Sequence, residues 1–219
     1  MFRSYDWHND IPDRSVSIIV DGVSGSGKTY LINKVIPLLD RKKNYSKILL
    51  ISSTSHLSGD FKQIPKKHQY KAKNINEVIK NLIEVQMRFI KQNKRPKVLL
   101  ILDDVIGTTG SSLRHNSLLE RAFTNFRHLN ICIILILQDI SKARPSLRLN
   151  ATHIIMFKNN NYNKKRYIIE NFLTIDGNKK EGYKLLNNIW DRPYKSLIIN
   201  QWNIQRSDSL FDYVFYYIA

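Results

Sequence analysis

The stretch Gly22-Val23-Ser24-Gly25-Ser26-Gly27-Lys28-Thr29 fits the pattern G-x-x-x-x-G-K-[ST]. Its flanks are an apolar run, Ile18 to Val20, and a helix-like run that begins at Tyr30. That strand-loop-helix context is the one the pattern requires. Gly22, Gly25 and Gly27 let the backbone wrap so that successive N–H groups point inward, and the helix that starts near Lys28 adds its positive end. The segment from Gly22 to Tyr30 therefore reads as a nest for the phosphates of a nucleoside triphosphate such as ATP. In such a nest Lys28 bridges the β- and γ-phosphates, and the Thr29 hydroxyl ligates the Mg²⁺ that neutralises them.

Two further groups have the chemistry to complete the site. Asp103 and Asp104 end the apolar run "KVLLILDD", so they emerge at a strand's carboxyl end with side chains pointing in different directions. Asp103 is assigned to the Mg²⁺ shell through water, and Asp104 to orienting and deprotonating the water that attacks the γ-phosphate. A helix cap or a solvated turn is the competing reading of two such acids. Gln138 follows the apolar residues Ile131 to Leu137, which places an amide where it can touch both the γ-phosphate and the attacking water. A strand-end glutamine bonded to a loop backbone is the competing reading. Arg127 precedes that run and Arg148 follows it; either is a candidate arginine finger for a neighbouring subunit's nucleotide, or a surface or DNA-facing arginine.

Positioning these residues requires strands alternating with helices. After the loop, "YLINKVIPLLD" reads as a helix and "SKILLISST" as a second strand. "NINEVIKNLIEVQMRFIKQNK" has Ile75, Val78, Ile79, Leu82, Ile83 and Ile90 at helical spacing, with Asn74 and Glu77 as a capping pair and Pro96 beyond the far end. "KVLLILDD" is the third strand, "NSLLERAFTNFRH" a helix with Leu118, Leu119, Ala122, Phe123 and Phe126 on one face, "ICIILILQ" the fourth strand and "THIIMFK" the fifth. This order predicts an α/β fold with a mostly parallel sheet covered on both faces and the ligand at the strands' carboxyl ends. "YKSLIINQW" and "FDYVFYYIA" read as extra C-terminal strands, and neither repeat nor linker is visible. One domain is expected over residues 1–219, with 1–15 an N-terminal extension and about 180–219 carrying the extra strands.

Composition narrows the classes. The apolar run Ile131 to Leu137 is too short to span a bilayer, no transmembrane segment is expected, and "MFRSYDWHND" lacks the apolar segment of a signal peptide, so a soluble intracellular protein is expected. The lone cysteine, Cys132, lies inside that run and reads as a small core residue. The formal net charge of +17 points to a polyanionic partner, DNA, RNA or an anionic membrane surface. Richness in Lys, Asn and Ile, as an A/T-rich genome produces, competes with that reading.

Together "GVSGSGKT", "LLILDD", "FRHLNICIILILQD" and "PSLRLNATHIIMFK" resemble the FtsK–HerA superfamily, most closely the poxvirus-type genome-packaging ATPases of large DNA viruses and virophages, over about Ile18 to Phe157. In that family an aspartate pair or Asp-Glu ends the Walker B strand and a glutamine ends the next strand, matched by Asp103, Asp104 and Gln138. An arginine before the glutamine strand is matched by Arg127, and a Pro-x-x-[IL]-Arg-x-Asn pattern after it by Pro145, Arg148 and Asn150. The second acid here is Asp, where many relatives carry the longer Glu. The resemblance implies a P-loop NTPase fold of the ASCE, RecA-like type. It also implies ATP and Mg²⁺, and a homo-oligomeric ring of five or six subunits. Such a ring hydrolyses ATP and drives double-stranded DNA into a preformed capsid, through a vertex or portal component, in the host-cell cytoplasm or the virion. Two other readings stay open: a small-molecule kinase, and a protein whose nucleic-acid binding is switched by nucleotide.

Overall fold

A computed structural model describes residues 2–54, 59–105, 117–173, 179–204, 206–207 and 209–218. Asn116, the expected first residue of one helix, and Ala219, the expected last residue of the final strand, lie outside them.

Among the described residues one sheet holds eight strands: β1 (Ser17–Asp21), β2 (Lys47–Ser52), β3 (Gln69–Lys71), β4 (Val98–Asp103), β5 (Ile131–Leu137), β6 (His153–Phe157), β7 (Lys195–Asn200) and β8 (Val214–Ile218). Their spatial order is β3-β2-β4-β5-β1-β6-β7-β8. The six strands β1 to β6 pair in parallel, while β7 runs antiparallel to β6 and β8 antiparallel to β7. The parallel α/β expectation is met, and the two extra strands are where the C-terminal apolar runs placed them.

The continuous apolar runs arise because these strands are buried on both faces. In β5, Ile131, Ile133, Leu135 and Leu137 face one core while Cys132, Ile134 and Ile136 face the other. Cys132 is thus a core residue, as expected. The Ile134 face is covered by α1 (Lys28–Lys43) through Leu31, Ile32, Val35 and Leu39. The Leu135 face is covered by α2 (Ile75–Lys91) and α3 (Ser117–Asn125), whose buried residues repeat at the expected helical spacing. Deleting a side chain such as Ile134 from these interiors costs on the order of 2–5 kcal/mol. The Asn74 side chain makes no capping bond; a 3₁₀ turn, Ala72–Asn74, leads the chain into α2 instead.

The N-terminal segment is tied to the sheet's far end. Tyr5 N–H donates to the Tyr216 carbonyl at 2.8 Å, and the buried Lys43 ammonium donates to the carbonyls of Pro12 and Arg14. Beneath the segment, Tyr5 Oη and His153 Nε2 are hydrogen-bonded at 2.8 Å. Burial holds the His153 ring neutral, its pKa pushed down from 6.5 to about 3. Below pH 6.5 the unfolded chain takes up a proton that the native chain refuses, so this ring removes stability as pH falls. His153→Gln keeps a partner for Tyr5 without titrating. Its stability relative to the parent is expected to rise by about 1.4 kcal/mol per pH unit between about pH 6 and 4, read by urea unfolding. A difference that stays constant with pH would refute a buried neutral ring.

Candidate nucleotide site at the carboxyl edge of the sheet

Parallel pairing brings several strand ends to one edge. Asp21 lies opposite Leu137, Asp103 opposite Ile136, and Ser52 opposite Asp103. The chain leaving β1 turns at once into the glycine loop, where Gly22 N–H donates to the Leu137 carbonyl at 3.2 Å. Gly25 (φ 74°) and Gly27 (φ 100°) sit in the left-handed region, which explains glycine there. A Cβ on Gly22 would lie 2.5 Å from Ser26 Oγ and 3.0 Å from Phe157 Cβ, so the turn closes only without one. Gly27 is the N-cap of α1 and, having no side chain, leaves the helix's first amides without a side-chain cap.

The loop fits phosphate. The Ser26 hydroxyl is buried with no partner among the described residues. Lys28 Nζ folds back over the loop, donating to the carbonyls of Gly22 at 2.6 Å and Val23 at 2.9 Å. Burial lowers the Lys28 pKa, while Asp21, Asp103 and Asp104 act to raise it. Ser24, Gly25, Lys28, Thr29, Tyr30, Asp103 and Asp104 share one open cavity with Gln138. Tyr30 lines it while largely exposed, and Val23 in the loop is exposed as well.

The acids divide by environment. Asp103 is buried and accepts from Ser52 Oγ at 2.9 Å, and burial raises its pKa. Asp104 turns out of the strand with φ 49°, a left-handed conformation that aspartate tolerates better than most residues. Its Oδ2 accepts from Gln138 Nε2 at 2.9 Å, so two residues singled out separately in the sequence touch. Gln138 is held in turn by Lys164, whose ammonium donates to its carbonyl at 3.0 Å. Magnesium needs few protein ligands because it keeps waters and binds phosphate oxygens. Thr29 and Asp103 fit that pattern, and among the described residues no cluster of three His, Cys, Asp or Glu side chains forms a closed cage.

Neither arginine candidate joins this cavity in its own chain. Arg127 lies in the 3₁₀ turn Phe126–Leu129, ahead of β5, and lines a pocket with Arg14, Ser17 and Trp202 at the sheet's amino edge. Arg148, in the short helix Pro145–Asn150, lies with its guanidinium 5.4 Å from the Tyr167 ring centre.

Sequence reasoning missed Asp21, Ser52 and Lys164, and also Asp60, which lines the same cavity. The signal for Asp21 was present: it is the polar residue that ends "SIIVD" just before the loop, as Asp103 ends "VLLILD". Its carboxylate is buried and accepts the Ile140 N–H at 2.7 Å, which ties the start of the loop to the turn after Gln138. Burial pushes its pKa up to about 6, against the pull of Lys164 and Lys28.

A family described as Poxvirus A32 protein matches residues 7–208. "Uncharacterized protein 015R" of Frog virus 3 (isolate Goorha) is 23% identical over 92% of this chain, which spans 61% of that protein's length. "Uncharacterized protein 088R" of Invertebrate iridescent virus 3 is 26% identical over 92% of this chain and 75% of its own length. Among solved structures, the DNA-packaging ATPase from Sulfolobus Turreted Icosahedral Virus superposes with a TM-score of 0.67 at 17% identity, covering 94% of this chain and 98% of that one. The genome packaging NTPase from Sulfolobus turreted icosahedral virus 2, solved with ATP-gammaS, gives 0.61 at 18% identity over 93% and 96%. The pCW3 conjugation coupling protein TcpA gives 0.65 at 9% identity over 99% and 68%. These likenesses show that the chain shares the fold of those proteins.

The raised pKa of Asp21 sets a sign opposite to that of His153. Between pH 3.8 and about 6 the native chain holds a proton that the unfolded chain has released, so this group removes stability as pH rises through that window. Asp21→Asn keeps an acceptor for Ile140. It is expected to be more stable than the parent at pH 8, by at most roughly 3 kcal/mol, with the advantage vanishing near pH 4. Lower stability of the variant at pH 8 would show that the charge itself is needed there.

Proposed function

The chain belongs to the Poxvirus A32 protein family, and from that premise we propose that it is an ATPase that drives double-stranded DNA into a viral capsid. The observation that carries the reading is the convergence of Lys28, Thr29, Asp103, Asp104 and Gln138 on one cavity, with Gln138 bonded to Asp104. On this reading the β- and γ-phosphates displace the loop carbonyls from Lys28 and are cradled by the amides of Gly22 to Tyr30. Thr29 and, through water, Asp103 would hold Mg²⁺, which would supply charge neutralisation. Gln138 orients a water, Asp104 accepts its proton, the water oxygen bonds to the γ-phosphorus, and the bond from that phosphorus to the bridging oxygen breaks. A kinase must keep water from its phosphoryl group, whereas this pair is arranged to activate one.

The net charge of +17 supports a polyanionic partner, and phosphate contacts give the sequence-independent, salt-sensitive grip that a DNA pump requires. We assign the chain to a ring of five or six copies, working as one domain at a capsid vertex or portal, in the host-cell cytoplasm or the virion. The viral origin of its relatives supports that setting. We assign Arg127 as the finger in trans, with Arg148 the alternative; Arg127 lies at the amino edge, away from the cavity of its own chain.

Lys28→Ala is expected to weaken ATP binding, whereas Asp104→Asn binds ATP normally and loses turnover by about 10²-fold or more. Turnover by the parent is expected to rise with duplex DNA and to lose that stimulation steeply as salt increases. Parent-like turnover in Asp104→Asn would remove the base assignment, and nucleotide-dependent DNA binding without turnover would favour the switch reading. In a second experiment, Arg127→Ala subunits mixed with Lys28→Ala subunits are expected to regain ATPase activity that neither has alone, because a sound loop then meets a sound arginine. No recovery in mixtures shown by native mass to contain both would pass the role to Arg148 or remove the shared site.

A further inference from the structure

A nucleotide in the loop has two ends, and the strand order separates them. Asp103, Asp104 and Gln138 end β4 and β5 on one side of β1, and β6 and β7 lie on its other side. A triphosphate whose γ-phosphate meets the acids must send its ribose and base out toward β6 and β7. Tyr194 stands there, in the turn that enters β7, where Phe157 at the end of β6 pairs with Ser196. A Cβ placed on Gly27 would lie 3.1 Å from Tyr194 Cδ1 and 3.5 Å from Phe157 Cε1, so the tyrosine ring rests on the phosphate loop.

Two features of Tyr194 have no explanation in the core. The residue is 57% exposed, and its backbone has φ 60°, a conformation costly for a bulky residue and kept only where the surroundings impose it. The surroundings do impose it. Lys195 is buried, with Nζ donating to the Asn188 carbonyl at 3.4 Å and paired with Asp191 Oδ1 at 3.2 Å across the turn. Just ahead, Trp190 Nε1 donates to the Met156 carbonyl at 3.3 Å. The turn is thus clamped from both sides while its largest side chain faces solvent beside the loop.

We propose that Tyr194 is the platform on which the nucleobase stacks; the inference rests on the nucleotide reading above. Stacking recognises a π-face and no particular pattern of donors and acceptors, so the gain extends to ATP and GTP alike and is absent for inorganic triphosphate.

The test compares ATPγS with inorganic tripolyphosphate, each with Mg²⁺, by calorimetry on the parent, Tyr194→Gly and Tyr194→Phe. Glycine fits φ 60°, so Tyr194→Gly is expected to keep or raise the melting temperature while weakening ATPγS about tenfold and leaving tripolyphosphate unchanged. Tyr194→Phe is expected to bind both as the parent does. Parent-like ATPγS binding by Tyr194→Gly overturns the platform, and so does an equal loss of tripolyphosphate, which would make the ring a prop for Gly27. A parent that binds tripolyphosphate as tightly as ATPγS overturns the platform while leaving the phosphate loop intact. A parent that binds neither overturns the nucleotide reading and this inference with it.

Discussion

The parallel pairing of β1 with β5 decides where everything else in this molecule can act. With Asp21 opposite Leu137, the glycine loop leaves β1 at the level where β5 gives way to Gln138, and the bond from Gly22 N–H to the Leu137 carbonyl extends the pairing one residue into the loop. A slip of one residue would turn the inward side chains of β1 to the wrong core and move the loop away from Asp103 and Asp104. The apolar run "ICIILIL" is therefore a positioning device: its seven buried residues lock the register that sets loop and glutamine side by side.

At that edge the protein concentrates charge that it has partly taken out of water. Lys28 stands among Asp21, Asp103 and Asp104, and burial works against the charged form of Lys28, Asp21 and Asp103. Such an edge is costly to the fold and useful to a polyphosphate, which brings negative charge to Lys28 and, with its cation, positive charge to the acids. The stability linked to Asp21 is one measure of that cost. The resting contacts follow the same logic, since Lys28 takes loop carbonyls and Gln138 takes Asp104 where phosphate and water are the expected partners.

The legible part of this architecture was the part with a period or a fixed pattern. The buried residues Ile75, Val78, Ile79 and Leu82 could be read from helical spacing, and β4 and β5 from unbroken apolar runs. The loop could be read because glycine positions with φ of 74° and 100° leave few substitutes. β3 could not, because Gln69-Tyr70-Lys71 is a short edge strand without an apolar run. An apolar run carries no direction, so the reversal of β7 and β8 was invisible, as was the docking of the N-terminal segment through Lys43 and Tyr5. Lys164 and Tyr194 were hidden for a different reason. Each acts through long-range contacts, and no spacing in the chain announces them.

The account's central claim is that Lys28 exchanges the carbonyls of Gly22 and Val23 for a nucleotide's phosphates. A crystal structure with Mg²⁺ and a non-hydrolysable ATP analogue tests it most directly. The account predicts phosphate oxygens within hydrogen-bonding distance of Lys28 Nζ, the metal on Thr29 Oγ1, and the γ-phosphate facing Asp104 and Gln138. A nucleotide bound elsewhere, or one that leaves Lys28 on its two carbonyls, would contradict it.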